Sequence, residues 1–261
     1  MNYNKLQALE ANTAAIATAY QVRNEKRPAT AAERETLSLY SGFGGIKEVL
    51  DLGTNKPMPE KMKQALDHLV RILQSVAQGD ETLYRELVDS IKASVLTAFY
   101  TPKILIEAVA DQIQATFRAH GLPMKSFLEP SAGIGGFLPV AMPDTCKAAF
   151  EKDLATGLVL SALHPDAKTV INGFETIDTQ ELENDKFDVI ASNIPFGTIN
   201  VFDADFERRG TPYKQSLKAI HNYFFIKAME LLSEGGLLAF VTSRGVADSP
   251  SNRFVRDYLV H

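Results

Sequence analysis

Two hydrophobic rhythms divide the chain. Up to about residue 95, apolar residues recur every three to four positions. In NKLQALEANTAAIATAY they fall at Leu6, Leu9, Ile16 and Tyr20, and in MPEKMKQALDHLVRILQSVAQGD at Met62, Leu66, Leu69, Ile72, Leu73 and Val76. That period puts one apolar stripe on each of two helices. TAAERETLSLY opens on Thr30 with Glu33 three residues later, the reciprocal capping pattern of a helix start. ETLYRELVDSIKASVLTAF reads as a further helix, and the three glycines of SGFGGIKEVL (Ser41 to Leu50) interrupt the helical series.

After about residue 96 short apolar runs alternate with longer helical patterns. KSFLEP, KAAFEKD, KTVINGF, KFDVIASN and GGLLAFVTS read as strands. PKILIEAVADQIQATFRAHG, ATGLVLSALHP and SLKAIHNYFFIKAMELLSEGG read as helices between or before them. The alternation predicts an α/β fold, a Rossmann-like parallel sheet covered by helices on both faces with right-handed connections. The expected division is a helical N-terminal subdomain over residues 1–95 and the α/β domain over 96–261. NRFVRDYLVH opens another helix. A doubly wound sheet ordinarily continues beyond such a helix, so the last strands are expected from another segment or another part of a longer protein. No internal repeat or low-complexity tract is present.

Composition narrows the class. The chain has 261 residues, 45% hydrophobic and 23% charged, enough for a sizeable core. No apolar run approaches the roughly 20 residues needed to span a membrane, and MNYNKLQALE lacks a basic stretch followed by an apolar block. The expectation is a cytoplasmic protein with no membrane partner. One cysteine, Cys146, rules out an internal disulfide or a cysteine-rich zinc site, and five scattered histidines offer no metal-ligand spacing, so no metal is expected. The net charge of −5 is unlike a domain that grips nucleic acid unaided. A nucleic-acid partner would need a local patch or help from elsewhere.

Three strand ends carry candidate chemistry. In FLEPSAGIGGF a strand closes at Glu129 and Gly133, Gly135 and Gly136 open a turn into a helix. Such a turn is either an ordinary strand-helix connection or a place where a ligand meets the backbone at the carboxyl end of the sheet. The spacing is neither that of a dinucleotide site nor that of a P-loop. The second strand ends in FEKD, about 20 residues on. There Glu151 is either a solvated charge or the acceptor for two ribose hydroxyls. The fourth strand runs into Asn193-Ile194-Pro195-Phe196. Pro195 pushes Ile194 towards extended backbone and so sets the direction of its carbonyl, beside the Asn193 side chain. Two acceptors and the Phe196 ring can hold a planar group that bears an amino nitrogen. A plain turn after a strand is the other reading of the same four residues.

In combination these stretches say more. FYTP, EPSAGIGG, FEKD, SNIPFG and HNYFFIKAMELLSEGGLLAFVTS, in that order, resemble the amino-group DNA methyltransferases that use S-adenosylmethionine, and most closely the adenine-N6 group with FYTP ahead of the glycine motif. The resemblance covers roughly residues 97 to 245. LSLYSGFGG further resembles the segment that precedes the methylase domain in large bacterial and mobile-element methylase–helicase fusions. The implied fold is the class I methyltransferase sheet. The implied cofactor is S-adenosylmethionine, with Phe99, Thr101, Pro102, Glu129, Ser131, Gly133 and Gly135 around its methionine end, Glu151 at its ribose and Phe174 near its adenine. Phe174 reads equally as a core residue. The implied catalytic set is Asn193, Ile194, Pro195 and Phe196.

One position departs from the family. Its usual motif has two prolines, and Ile194 stands at the first. Ile keeps an N–H that proline lacks. The resemblance implies methyl transfer to the N6 amine of a flipped adenine in DNA, with further domains such as a helicase as partners. Methylation of a protein glutamine or of RNA is the alternative within enzymes, and an inactive cofactor-binding scaffold of a mobile-element protein is the alternative outside them. In VFDADFERRGTPYKQSLK, the residues Arg208, Arg209, Lys214 and Lys218 belong to a solvated loop or to a phosphate contact. His221 reads as structural rather than catalytic, and Tyr223, Phe224 and Phe225 as packing against the sheet. SGFGG is expected to reach towards the cofactor pocket from the helical part.

Overall fold

The computed structural model describes residues 4–54, 56–97, 101–177 and 186–260. The chain separates into two compact units. The first comprises Met1–Tyr100, Gly133–Gly135 and Glu151–Ile171, and the second Thr101–Ala132, Gly136–Phe150 and Asn172–His261.

Helices α1 (Lys5–Asn24), α2 (Ala31–Ser38), α3 (Glu60–Ala77) and α4 (Glu81–Thr97) arise in the first unit where the 3.6-residue period predicts them. Thr30 starts α2: its hydroxyl accepts the Glu33 N–H at 3.3 Å and the Glu33 carboxylate accepts the Thr30 N–H at 2.8 Å. The apolar stripes converge on one core in which Leu9, Ile16, Leu37, Leu69, Leu73 and Ile91 are fully buried. SGFGGIKEVL leaves the helical series, but its Phe43 and Ile46 enter the same core. The Asn12 amide holds it there, donating to the Gly42 carbonyl at 2.6 Å and accepting the Ser41 N–H at 2.8 Å.

The first unit also takes in α6 (Leu154–Leu163) and strand β3 (Ala167–Val170), against which α1, α2 and α4 supply neighbours for α6. Asp153 caps α6 by accepting the Thr156 N–H at 2.7 Å. Ser90 on α4 donates to the same carboxylate and accepts the Leu154 N–H at 2.8 Å. Tyr40 and Thr156 share a hydroxyl–hydroxyl bond of 2.9 Å.

The second unit holds α5 (Lys103–His120), β1 (Ser126–Glu129), β2 (Cys146–Phe150), β4 (Phe187–Asn193), α7 (Ala204–Arg208), α8 (Tyr213–Ser216), α9 (Ile220–Leu231), β5 (Leu232–Val241), α10 (Gly245–Asp248) and α11 (Arg253–Val260). The five strands form one sheet in the order β3-β2-β1-β4-β5. β1 pairs in parallel with β2 and with β4, and β4 in parallel with β5. Phe127, Leu128, Val189, Ile190 and Ala191 are fully buried, as strands covered on both faces must be. This is the α/β architecture that the alternation of patterns predicts.

One boundary differs from the expectation. SLKAIHNYFFIKAMELLSEGG does not form one helix: α8 ends at Ser216, α9 spans Ile220–Leu231, and β5 already begins at Leu232. The pairing with β4 slips between Phe187 and Val189, so that Leu232 pairs with Phe187 and Leu237 with Val189. The extra residues bulge out around Gly235, which takes φ +75°. Phe225 of α9 packs edge-on against Phe240 of β5 with 5.2 Å between ring centres.

Candidate active site

In the first unit, Gly133 and Gly135 adopt φ of +56° and +84°, conformations a side chain would strain. The Gly133 N–H donates to Glu151 Oε2 at 2.7 Å, and the Asp153 N–H to Glu151 Oε1 at 2.7 Å. The glycine turn and the acid after β2, read separately from the sequence, thus share a hydrogen bond. Burial pushes the Glu151 carboxyl up to about 7, against the pull of these N–H donors and with the Asp153 charge adding to the rise. The Lys152 N–H also bonds to this carboxylate, which leaves acceptor capacity for one further donor. Ile134, at the tip of the turn, packs against the helical core, and its carbonyl contacts His164 Nε2 at 3.0 Å.

In the second unit, Glu129 ends β1 almost wholly buried, and its Oε1 accepts the Phe137 N–H at 3.0 Å. The Ser131 carbonyl accepts the Ser192 hydroxyl at 2.9 Å, which ties the end of β1 to the end of β4. Thr101 and Pro102 lead into α5, where Pro102 stands at the cap position. Thr101 Oγ1 is buried and, among the described residues, has no hydrogen-bond partner. Phe99 lies outside the described residues. Phe174 is buried in an aromatic cluster, with ring centres 5.0 Å from Phe224, 6.3 Å from Phe150 and 6.4 Å from Tyr223.

Asn193 is the last residue of β4 and lies opposite Val241 in the β5 register. The ladder runs one residue further, since the Ile194 N–H donates to the Val241 carbonyl at 3.1 Å. The departure from the two-proline motif is thus used: a proline here could not make that bond. The Ile194 side chain is 1% exposed, Pro195 is half-buried, and the Phe196 ring is 51% exposed. Gly197 then turns the chain with φ +129°, and its N–H donates to His221 Nδ1 at 3.3 Å. Ile199 and Phe202, 49% and 80% exposed, continue an apolar surface along the same loop.

The basic stretch divides. Arg209 lies 3.4 Å above the Tyr213 ring and pairs with Glu230 at 3.0 Å, and Lys214 pairs with Glu207 at 2.7 Å. Arg208 and Lys218 are exposed. Two groups near the motif carry no signal in the one-dimensional pattern. Thr242, next to Val241, has a buried hydroxyl with no partner among the described residues, and Asn252 sits 3.5 Å from His221 Nε2. Only chain folding brings residues 30 and 50 positions apart onto one bend.

Known proteins bear on this geometry. A model of the Eco57I restriction-modification methylase family matches residues 146–260. The "Defense against restriction protein B" of Escherichia phage P1 is 25% identical over 219 residues, which are 81% of this chain and 9% of that protein. The chain therefore spans about a tenth of the length of that relative. Among solved structures, a Listeria monocytogenes protein assigned as a class I S-adenosylmethionine-dependent methyltransferase superposes with a TM-score of 0.52 at 15% identity, covering 98% of this chain and 79% of that one. The methyltransferase subunit of a Streptococcus thermophilus type I restriction-modification system superposes with a TM-score of 0.51 at 13% identity, covering 98% and 72%. A restriction-modification methylase model thus matches residues 146–260 of this chain, and the fold is shared with these solved class I methyltransferase structures.

Proposed function

We propose that the chain is a methyltransferase that uses S-adenosylmethionine and methylates the exocyclic N6 amine of adenine in DNA. The observation that carries this reading is the end of β4: a bend held by the Ile194 N–H on Val241, with Asn193 before it and an exposed Phe196 ring after it. Two features of the donor set suit the cofactor. Glu151 keeps acceptor capacity for a ribose hydroxyl, and the buried Thr101 hydroxyl wants a polar partner. Glu129, Ser131, Gly133, Gly135, Thr101 and Pro102 are proposed to hold its methionine end, as are Phe99 and, for its adenine, Phe174. When bound, the group supplies an electrophilic methyl on sulfonium sulfur.

The residues of the chain then do the rest. Asn193 Oδ1 and the Ile194 carbonyl accept the two N–H bonds of the target amine. This favours a tetrahedral nitrogen with a localised lone pair directed at the methyl carbon. The Phe196 face receives the extruded base. The amine held by Asn193 Oδ1 and the Ile194 carbonyl would take the methyl group that S-adenosylmethionine supplies and would give up one proton to solvent. The contribution is positioning and electrostatic, and it asks for no strong base.

Calorimetry with S-adenosylmethionine, followed by transfer of labelled methyl to unmethylated DNA, tests the reading. Asn193→Ala is expected to abolish transfer and to retain cofactor binding. Unchanged transfer in that variant would remove Asn193 from the chemistry. Mass spectrometry of the product would identify N6-methyladenine, and a methylated protein glutamine or RNA would redirect the substrate assignment.

A further inference from the structure

The four motif residues are tied at both ends by main-chain N–H groups. At the front, Ile194 donates to Val241 of the sheet, a backbone bond that any non-proline residue makes. At the back, Gly197 donates to a side chain, His221 Nδ1. Between them stands Pro195, which has no N–H. We infer that His221 is a positioning residue for methyl transfer: by accepting the Gly197 N–H it fixes the bend that presents Asn193, the Ile194 carbonyl and the Phe196 ring. The inference rests on the function proposed above and adds a residue to it.

The surroundings of the ring define its state. His221 lies in the first turn of α9 and is 9% exposed. Its Nε2 faces Asn252 Nδ2 at 3.5 Å. That amide is oriented by its other partners, since Nδ2 donates to the Gly245 carbonyl at 2.8 Å and Oδ1 accepts Asn222 Nδ2 at 2.9 Å. In the neutral ring Nδ1 accepts the Gly197 N–H and the one ring proton sits on Nε2, 3.5 Å from the Asn252 amide. A protonated imidazole donates from both nitrogens, so its Nδ1 can no longer accept the Gly197 N–H. The described groups that contact it, from the β4 loop and from the turn before α11, are the Gly197 amide and Asn252, both uncharged, and Asn222 of α9 bonds to that same Asn252. Burial lowers the pKa of the ring, and no charged neighbour contributes to the shift. The neutral ring with Nδ1 as acceptor is the form that holds Gly197. Acid converts Nδ1 into a donor and releases the bend.

Two substitutions separate this role from simple packing. His221→Asn offers an acceptor oxygen near the position of Nδ1 and does not titrate. His221→Phe keeps a flat ring without an acceptor. Methyl transfer to DNA is measured across the range around the ordinary histidine pKa of about 6.5, beside cofactor binding by calorimetry and thermal melting. His221→Phe is expected to lower kcat on the order of tenfold to a hundredfold with cofactor affinity unchanged. Read as kcat at saturating cofactor, where the Glu151 effect on affinity does not enter, His221→Asn is expected to keep most of the activity and to lose the acid limb of the wild-type kcat profile. Wild-type kcat in His221→Phe, or an acid limb that persists in His221→Asn, would overturn the inference. Should His221→Phe fail to fold, the pH profile of His221→Asn alone decides. Nitrogen chemical shifts of the His221 ring in the wild-type chain give a readout independent of activity. They are expected to show Nδ1 unprotonated and hydrogen-bonded, and a protonated Nδ1 at neutral pH would also overturn it. A wild-type chain inactive on DNA would instead sink the adenine reading, with the ring shifts still reporting on the Gly197 bond.

Discussion

Glu151 has a carboxyl held at about 7 by burial, against about 4.5 for the free side chain. The folded value is raised, so the folded state binds the proton more tightly. Stability from this group is fully present below about pH 4.5 and is lost as pH rises through 7, by on the order of 3 kcal/mol. Glu151→Gln is accordingly expected to raise the melting temperature at pH 8 relative to wild type and to leave it nearly unchanged at pH 4. Hydroxyls that donate to the carboxylate favour its ionised form. Cofactor affinity in the wild type should therefore strengthen as pH passes 7, and Glu151→Gln should flatten that dependence in calorimetry. At Ile194 the relevant quantity is one hydrogen bond. Ile194→Pro restores the two-proline motif and removes the bond to Val241, with an expected loss of about 1 kcal/mol in denaturant unfolding.

At the scale of elements, α7 and α9 meet over a buried ion pair. Lys227 Nζ lies 2.9 Å from Asp203 Oδ2, with side chains 3% and 5% exposed, and the Tyr223 hydroxyl donates to the same oxygen at 2.7 Å. Asp203 also caps α7 by accepting the Asp205 and Phe206 N–H groups. Burial by itself would raise the Asp203 carboxyl, but Tyr223, Lys227 and Phe206 together hold it below the usual range. Its contribution is present above about pH 3.8 and is lost as pH falls through the lower folded value. Lys227→Met strands this charge and is expected to cost about 3 to 5 kcal/mol in urea unfolding. Adding Asp203→Asn should recover a large part of that loss, because the uncompensated charge goes with it. The split of the 216–236 segment belongs to this scale too. Its apolar run suits a helix or a buried strand, and pairing with β4 decides that Leu232 starts a strand.

For the whole molecule, the proposed action on DNA has a defined consequence for an acidic chain. With a net charge of −5, phosphate neutralisation must come from a few exposed cations. Arg208 and Lys218 are exposed, Arg208 beside Asp205 at 3.8 Å, whereas Arg209 and the exposed Lys214 are engaged with Glu230 and Glu207. Titrations of duplex DNA at several salt concentrations should give a shallow slope. Arg208→Ala and Lys218→Ala should each reduce it by about one, and Arg209→Ala should act mainly on stability. No described helix is long and apolar enough to cross a membrane.

Local rules carried the helices of the first hundred residues, the α/β alternation after them and the sites of the motifs. Period, capping residues and proline restriction act within a few positions, so Thr30 with Glu33 or Pro195 beside Ile194 is visible in one dimension. Tertiary structure decided what depends on partners far along the chain. It placed Gly133 on Glu151, Ser90 on Asp153, Val241 on Ile194 and His221 on Gly197. It also set the similar-looking cations apart, with Arg209 half-buried on Glu230 and Arg208, Lys214 and Lys218 exposed. The physical reason is that a hydrogen bond or an ion pair is set by position in space, and distant residues reach one position only when the core that both help to bury has formed.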